Sequence, residues 1–293
     1  MMKNGLMFSL LIAGIALAFP AQSAEVHPLK VMSYNIRYNN PGDGVNAWPN
    51  RKDHVADMIG SKYSADLAGL QEAQYDQIQD LEERLPEYAW IGVGREDGKQ
   101  AGEFTSIFYR KERLEPLEHD TFWLSEQPDV PGSKSWDTAI TRIVTWVKFK
   151  DKQNEKELYH FNTHFDHRGQ QARLESAKLI WKKIKEIAGD TPVVLTGDFN
   201  VRENSDPYAI LVGKTEFDGE RSQLKDARYV SKTEHEGPTS TITDWKEHRG
   251  PESKIDFIFV HNGFEVLSHK VLDDKYGYYF PSDHLPILAE VQF

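Results

Sequence analysis

Three short polar segments follow apolar stretches of this chain, and their side chains suit phosphate chemistry. Residues 196–200 (Thr-Gly-Asp-Phe-Asn) come directly after the apolar run 192–195, which is typical of a buried strand with Asp198 and Asn200 at its carboxyl end. Glu72 follows a second apolar stretch, and Asp283 and His284 stand together near the C-terminus. Carboxylates, amides and imidazoles at strand ends are what a hard divalent cation and a phosphoryl group require. The pattern predicts cleavage of a phosphate ester.

We expect catalytic roles for four residues, Asp198, Asn200, Asp256 and His284. Asp198 and Asn200 are two positions apart, so an extended backbone puts both side chains on one face. An ionised Asp198 can orient and deprotonate water, and Asn200 can donate to a phosphoryl oxygen. Asp256 lies among apolar residues and needs a buried partner, which we expect to be the imidazole of His284. Either Asp198 or His284 is then the general base.

The segment around His164 allows two interpretations. We expect His164 to donate a hydrogen bond to charge that develops on the phosphoryl oxygens, with Asn162 on the same side of its strand as a substrate contact. Residues 164–168 (His-Phe-Asp-His-Arg) also contain three zinc-type ligands, which is the alternative. In the first interpretation His167 and Arg168 are loop residues at the mouth of the site, where Arg168 meets substrate.

Arg142 and Tyr109 are further candidates for substrate binding. Arg142 begins an apolar strand, and a guanidinium suits bidentate binding of phosphate, although a surface arginine on an edge strand fits equally. Tyr109, beside Arg110, is a similar case.

The elements that must position these residues are mostly strands. The residue pattern predicts helices near 51–63, 75–85 and 170–187, and a long polar loop at 117–136. It predicts strands at the following ranges: 29–36, 66–70, 88–93, 105–110, 140–150, 158–163, a run from 193, 255–260 and 287–293. Many strands with few helices, and both hairpin and crossover connections, favour two sheets flanked by helices.

Taken together in chain order, six segments resemble the endonuclease/exonuclease/phosphatase superfamily, the fold of deoxyribonuclease I. The resemblance extends over nearly all of residues 25–293 and implies one α/β domain, a four-layered sandwich of two packed mixed sheets. It also implies Mg²⁺ or Mn²⁺ and in-line attack of water on phosphorus. Asn35, Glu72 and Asp283 match the metal-binding positions. The segments are 33–37, 70–72, 162–164, 197–200, 254–258 and 282–284.

The N-terminal residues predict export. Lys3, an apolar run at 6–19 and small residues up to Ala24 are typical of a signal peptide at 1–24, with an uncleaved anchor as the alternative. We therefore expect a periplasmic or extracellular protein without stable membrane insertion, and a monomer. The chain has no cysteine, so it forms no disulfide.

The charge composition narrows the classes of substrate to be considered. The formal charge is −11, from 35 basic and 46 acidic residues, which argues against a protein that holds long duplex nucleic acid on a basic face. Nucleic acids, nucleotides, lipid head groups such as sphingomyelin, and inositol or sugar phosphates all remain open, and we expect a phosphodiester ahead of a monoester. A non-catalytic binding protein of the same fold is the other class, but every expected reactive residue is present.

Overall fold

A computed structural model describes residues 1–2 and 28–293, so the predicted signal peptide lies outside the described residues from its third residue onward. The strands are β1 Leu29–Asn35, β2 Leu67–Gln71, β3 Tyr88–Ile91, β4 Ile107–Arg110, β5 Leu114–Trp123, β6 Ile143–Asp151, β7 Glu157–His164, β8 Val193–Asp198, β9 Lys225–Asp226, β10 Asp256–His261, β11 Glu265–Val271 and β12 Ile287–Gln292. The α-helices are α1 Lys52–Asp57, α2 Tyr75–Arg84, α3 Gln170–Ala188, α4 Asp206–Leu211 and α5 Ala227–Val230.

Two six-stranded mixed sheets form the framework. The first sheet has the order β11-β12-β1-β2-β4-β3, and the second has the order β5-β6-β7-β8-β10-β9. In each sheet one central pair is parallel, β1 with β2 and β7 with β8, and the other pairings are antiparallel. The parallel pairs bring the carboxyl ends of four strands to the same end of the molecule.

Three apolar cores join four layers. One core lies between the sheets and includes Val31, Val147 and Ile258. A second packs α1 and α2 on the outer face of the first sheet, and a third packs α3 and α4 on the outer face of the second sheet. The predicted four-layered α/β sandwich is confirmed. No helix within the described ranges has the length and apolarity that crossing a bilayer requires.

The residues between the sheets change from apolar to ionisable along each central strand. Because alternate side chains share a face, β7 presents Leu158, His160, Asn162 and His164 in turn to the opposite sheet. β8 presents Val194, Thr196 and Asp198, and β1 presents Val31, Ser33 and Asn35. The ionisable end of this series is the predicted site.

A buried polar layer separates the apolar core from the site. Asn162 is fully buried, and its Nδ2 donates to the carbonyls of Leu70 and Ser106 at 2.8 and 3.0 Å. Its Oδ1 accepts from Gln71 Nε2 at 2.7 Å and from Thr196 Oγ1 at 3.0 Å. The bonds to Leu70, Gln71 and Ser106 cross between the sheets and satisfy the amide of Asn162, so they fix how the sheets are placed against each other.

The extent of β5 and the position of β6 differ from the sequence pattern, which also did not include β9 or β11. Residues 117–123, expected in a loop, belong to β5, which carries an irregularity between Pro116 and Glu118 and pairs with β6 as far as Trp123. β6 lies between β5 and β7, so it is not an edge strand. A bulge interrupts the simple alternation on which the strand prediction depended.

Gly69 tests the close approach of the sheets. A Cβ at this position would overlap Thr196 Oγ1 and the side chain of Asn162. We expect Gly69→Ala to lower the free energy of unfolding by about 1–3 kcal/mol, because inserting a methyl group into a packed interior forces its neighbours apart. Gly42→Ala, where the nearest atom is on the side chain of Asn40, is the control. Urea unfolding measures both, and equal stabilities would contradict this account of the sheet contact.

Candidate active site

The amide of Asn35 joins the two sheets at the ionisable end. Asn35 ends β1, and its Nδ2 donates to Glu72 Oε1 and to Asp198 Oδ2, both at 3.0 Å. Its Oδ1 accepts the backbone N–H of Arg37 at 3.0 Å. Glu72 follows the first sheet's β2 and Asp198 ends the second sheet's β8, so this one amide sets the spacing of two carboxylates from different sheets.

Strained backbone turns follow three of the strands. Arg37, Glu72 and Asn200 have φ values of 58°, 61° and 50°, in the left-handed region that non-glycine residues seldom adopt. Each stands one or two residues after β1, β2 or β8. Such strain costs on the order of 1–3 kcal/mol per residue and persists where surrounding contacts hold it. Here one such contact is the N–H of Tyr38, which donates to Glu72 Oε2 at 3.1 Å.

Asp198 is the buried carboxylate at the centre of the cluster. Its Oδ1 accepts the N–H of Asn200 at 2.9 Å, and His164 Nε2 lies 3.3 Å from its Oδ2. Burial raises the pKa of Asp198 to about 7, and the neighbouring Asp256 carboxylate acts in the same direction. A positive charge beside it would favour the ionised form.

His284 and Asp256 form a buried pair. His284 Nδ1 lies 2.9 Å from Asp256 Oδ2, and its Nε2 points towards Asp198 Oδ2 at 3.9 Å. Burial alone would lower the pKa of His284, but the carboxylates of Asp256 and Asp198 outweigh it and raise that pKa well above the usual value. The two carboxylates favour the charged ring, with Nδ1 directed at Asp256 and Nε2 directed at the cluster.

The cluster fits a divalent cation. Glu72, Asp198 and His284 offer ligand atoms within 4.8 Å of one another, and no other such group occurs among the described residues. Two of the three are carboxylates, which suit a hard cation that prefers oxygen ligands and keeps several waters. Burial also raises the pKa of the nearby Asp283, and the negative charge of Glu72 adds to this rise. The concentration of carboxylates in one buried place calls for a compensating cation.

Asp283 lies beside Arg37, outside this three-residue group. Arg37 Nη1 is 3.7 Å from Asp283 Oδ2, while its Nε and Nη2 both bond the carboxylate of Asp43 at 3.1 Å. Ser282 Oγ, next to Asp283, donates to the carbonyl of Asn35 at 2.7 Å. The segment that contains Asp283 and His284 is thus tied to the end of β1.

Arg51 also connects the segment that follows β1 to the segment that precedes Asp283. Its guanidinium is buried and donates to the carbonyls of Ile36 and Arg37, after β1, and of Pro281, before Asp283, at 2.6 to 3.0 Å. A fourth bond goes to the carbonyl of Asn46 at 2.6 Å. The rings of Trp48 and Trp245 lie 5.2 Å from it. Arg51 is a positioning residue for the strand end that contains Asn35.

Arg142 lies behind His164. It is buried at the start of β6, and its Nη2 is 3.3 Å from His167 Nδ1. Its Nε is 3.9 Å from Asp166 Oδ2, and its Nη1 has no hydrogen-bond partner among the described residues. Burial lowers the pKa of Arg142 to about 10, so the guanidinium stays charged. Burial, with Arg142 adding to it, holds the pKa of His164 well below its usual value. A neutral His164 beside a charged arginine with free donors suits an incoming anion.

Two of the predicted substrate contacts need correction. Asn162 does not reach substrate, because it lies one layer below His164 and uses its amide between the sheets. Tyr109 is in the core between the sheets, with its ring 5.0 Å from Phe149. Its partner Leu67 is at the opposite end of β2 from Glu72. Both were expected in the site because a strand pattern gives the face of a residue and not its depth.

The zinc interpretation of residues 164–168 is also wrong. Asp166 accepts backbone N–H groups from both sides, including those of Arg168 at 2.9 Å and Gly169 at 2.6 Å. Although burial opposes it, these donors lower the pKa of Asp166 to about 2. Its carboxylate therefore holds the loop. The side chain of Arg168 is exposed on this loop and makes no hydrogen bond or ion pair to another described residue.

Sequence reasoning missed Arg51 and the side chain of Arg37. The available signal was the run Trp48-Pro49-Asn50-Arg51, which puts an aromatic ring near a guanidinium in a turn-rich segment. That signal does not indicate which carbonyls the arginine reaches.

Comparisons with known proteins agree with this geometry. A sequence model of the Endonuclease/Exonuclease/phosphatase family matches residues 32–284, a range that includes every residue of the cluster. The structure of an endonuclease/exonuclease/phosphatase from Bacteroides vulgatus is 44% identical with a TM-score of 0.84, covering 90% of this chain and 98% of that one. A mannosyl-6-phosphatase of Bacteroides thetaiotaomicron is 38% identical with a TM-score of 0.84, covering 90% and 100%. An uncharacterised protein of Acanthamoeba polyphaga mimivirus is 29% identical over 182 residues, 59% of this chain and 67% of that protein.

Substituting Arg51 tests its positioning role. We expect Arg51→Lys to weaken Mn²⁺ binding about tenfold or more, since an ammonium cannot bond all four carbonyls and residues behind metal ligands affect affinity on that scale. Arg84→Lys, on α2 with Asp53 and Asp80 as partners, is the control. Calorimetric titration with Mn²⁺ measures affinity, and a thermal melt without metal measures stability. A lower melting temperature with unchanged Mn²⁺ affinity would mean that Arg51 is structural only.

Proposed function

Because this chain belongs to the endonuclease/exonuclease/phosphatase family, we propose that it is a divalent-metal-dependent phosphoester hydrolase acting on a small sugar phosphate. The observation behind this proposal is the convergence of Glu72, Asp198 and His284 within 4.8 Å at the joined ends of the two sheets. Retention of every reactive residue in one cluster disfavours a non-catalytic binding protein.

The residues suggest how hydrolysis would proceed. A cation on Glu72 and Asp198 would polarise the phosphoryl oxygens and neutralise their charge. Asp198, held by Asn35 and Asn200, is the group placed to orient a water in line with the ester bond. The water oxygen attacks phosphorus as Asp198 takes a proton from the water, the bond from phosphorus to the alcohol oxygen breaks, and the departing alcohol oxygen takes up that proton. Asp198 is the base we favour, since a protonated His284 is the better donor to the phosphoryl group.

Arg142 supports binding of a phosphate with several free oxygens. Its Nη1 is buried without a hydrogen-bond partner among the described residues, and its Nε, which makes no hydrogen bond, lies 3.9 Å from Asp166 Oδ2. A phosphomonoester has one more terminal oxygen than a diester and a higher negative charge, so it benefits more from such a cation.

The sugar phosphate is suggested by a relative. The mannosyl-6-phosphatase of Bacteroides thetaiotaomicron aligns over its full length at 38% identity. A formal charge of −11 also disfavours a long nucleic acid as substrate. These points favour the monoester over the phosphodiester that the sequence patterns suggested. We also propose that the protein is exported, on the composition of residues 1–24, and cell fractionation tests this.

A substrate screen tests the reaction. Purified residues 25–293 with Mg²⁺ or Mn²⁺ should release phosphate from mannose 6-phosphate faster than they cleave bis(p-nitrophenyl) phosphate, DNA, RNA or sphingomyelin. The double variant Asp198→Ala/His284→Ala is the background. Faster cleavage of a diester would overturn the monoester preference, and no activity above that background on any substrate would overturn the hydrolase.

Single variants separate metal binding from proton chemistry. We expect Glu72→Gln to lose activity that high Mg²⁺ partly restores, because the amide weakens the cation site without removing it. We expect His284→Ala to lose roughly a hundredfold or more in kcat, which added metal does not restore. Phosphate release across a Mg²⁺ titration measures both. Equal losses that metal does not affect would contradict this division of roles.

A further inference from the structure

A cavity of about 570 Å³ opens beside the proposed catalytic residues. It lies between the start of α3 and the segment 200–207 that follows β8, and Asn200 forms part of its wall. Asn200 Nδ2 is 3.1 Å from His164 Nε2, so Asn200 separates this cavity from the metal-binding cluster. The group esterified to a phosphate at the cluster would therefore lie next to this space.

The walls are polar and richer in basic than in acidic groups. Arg173 and Arg202 line it together with one acidic residue, Asp206, and the amides of Gln170 and Asn204. This local balance contrasts with the acidic chain as a whole. No aromatic side chain lines the cavity. Bases usually bind by stacking on aromatic rings, so the walls suit hydroxyl groups better than a nucleobase.

Several of these donors are free to bind a ligand. Across the described ranges, the side chains of Gln170, Arg202 and Asn204 make no hydrogen bond or ion pair. Arg173 is instead held in place, with its Nη1 donating to the carbonyl of Asp166 at 2.9 Å. The N–H groups of Gln171 and Ala172 at the start of α3 already bond Asp137, at 3.2 and 2.7 Å. Side chains, rather than the helix terminus, supply the free donors.

We propose that this cavity binds the alcohol part of the substrate, a compact hydroxyl-rich group of the hexose class, with Arg202 and Asn204 as specificity-determining residues. The inference rests on the proposed sugar-phosphate hydrolysis and assigns its leaving group a place. The volume lies within the range of small-molecule sites, about 300–1,000 Å³, and leaves room for a sugar longer than one ring.

Paired substrates test the assignment. We expect Arg202→Ala and Asn204→Ala each to raise KM for mannose 6-phosphate about tenfold and to leave KM for p-nitrophenyl phosphate unchanged, because the aryl group makes no use of these hydrogen bonds. Arg221→Ala is the control, since this exposed arginine lies outside the cavity, where it bonds the carbonyls of Gly213 and Lys214 and lies 3.8 Å from Glu216 Oε2. Equal effects on both substrates, or none on either, would overturn the inference while the hydrolase stands.

A binding measurement keeps the inference separate from turnover. Mannose 6-phosphate is titrated into the His284→Ala protein with and without Arg202→Ala, and calorimetry gives the affinity. An approximately tenfold weaker affinity in the double variant supports the cavity assignment, whether or not the wild-type protein hydrolyses the two monoesters. Absence of hydrolysis of both monoesters by the wild-type protein would overturn only the proposed monoester hydrolysis. Equal affinities would overturn the cavity assignment.

Discussion

The candidate site depends on the two hydrogen bonds that Asn35 donates, one to Glu72 in its own sheet and one across to Asp198 in the other sheet. Its Nδ2 reaches Glu72 and Asp198 at 3.0 Å each, and these carboxylates belong to different sheets. Like charges held this close repel, so their spacing has to be imposed by the fold. The polar layer beneath, centred on Asn162, and the close approach at Gly69 fix the sheets so that Asn35 can reach both groups. The packing of the two sheets therefore determines the geometry of the site.

The layered fold followed from the sequence because alternation and helical spacing are local properties. The residues of the cluster could also be chosen from the sequence, since ionisable groups at the ends of apolar strands are rare without a reason. The sequence pattern does not show how far a residue on a given strand face lies from the site. Asn162 and His164 share a face of β7, yet one lies in the polar layer and the other beside Asp198. Tyr109 shows the same ambiguity, because the direction of β4 relative to β2 decides which end of the sheet it occupies.

Arg51 could not be found by searching for reactive residues. It acts through backbone carbonyls, which every residue has, so only the folded chain shows that Ile36 and Pro281 come within its reach. Burying a guanidinium is costly unless its donors are used, and here four carbonyls and two indole rings surround it. The bonds of Arg51 also bear on the strained turns nearby. Arg37 and Glu72 keep a left-handed backbone only where surrounding contacts hold it, and Arg51 supplies such a contact at the carbonyl of Arg37.

Reaction and substrate choice have different structural origins in this molecule. The groups that face phosphorus stand at strand ends fixed by two sheets, and they say nothing about the alcohol. The segment after β8 joins the two functions, because Asn200 bonds Asp198 through its backbone and borders the cavity with its side chain. Changes at Arg202 or Asn204 can alter which alcohol is accepted without moving Asp198, since the intervening turn is held by bonds from Asn200 to Asp198 and Phe165. A fold built in this way can keep one hydrolytic centre while its loops adapt to different esters.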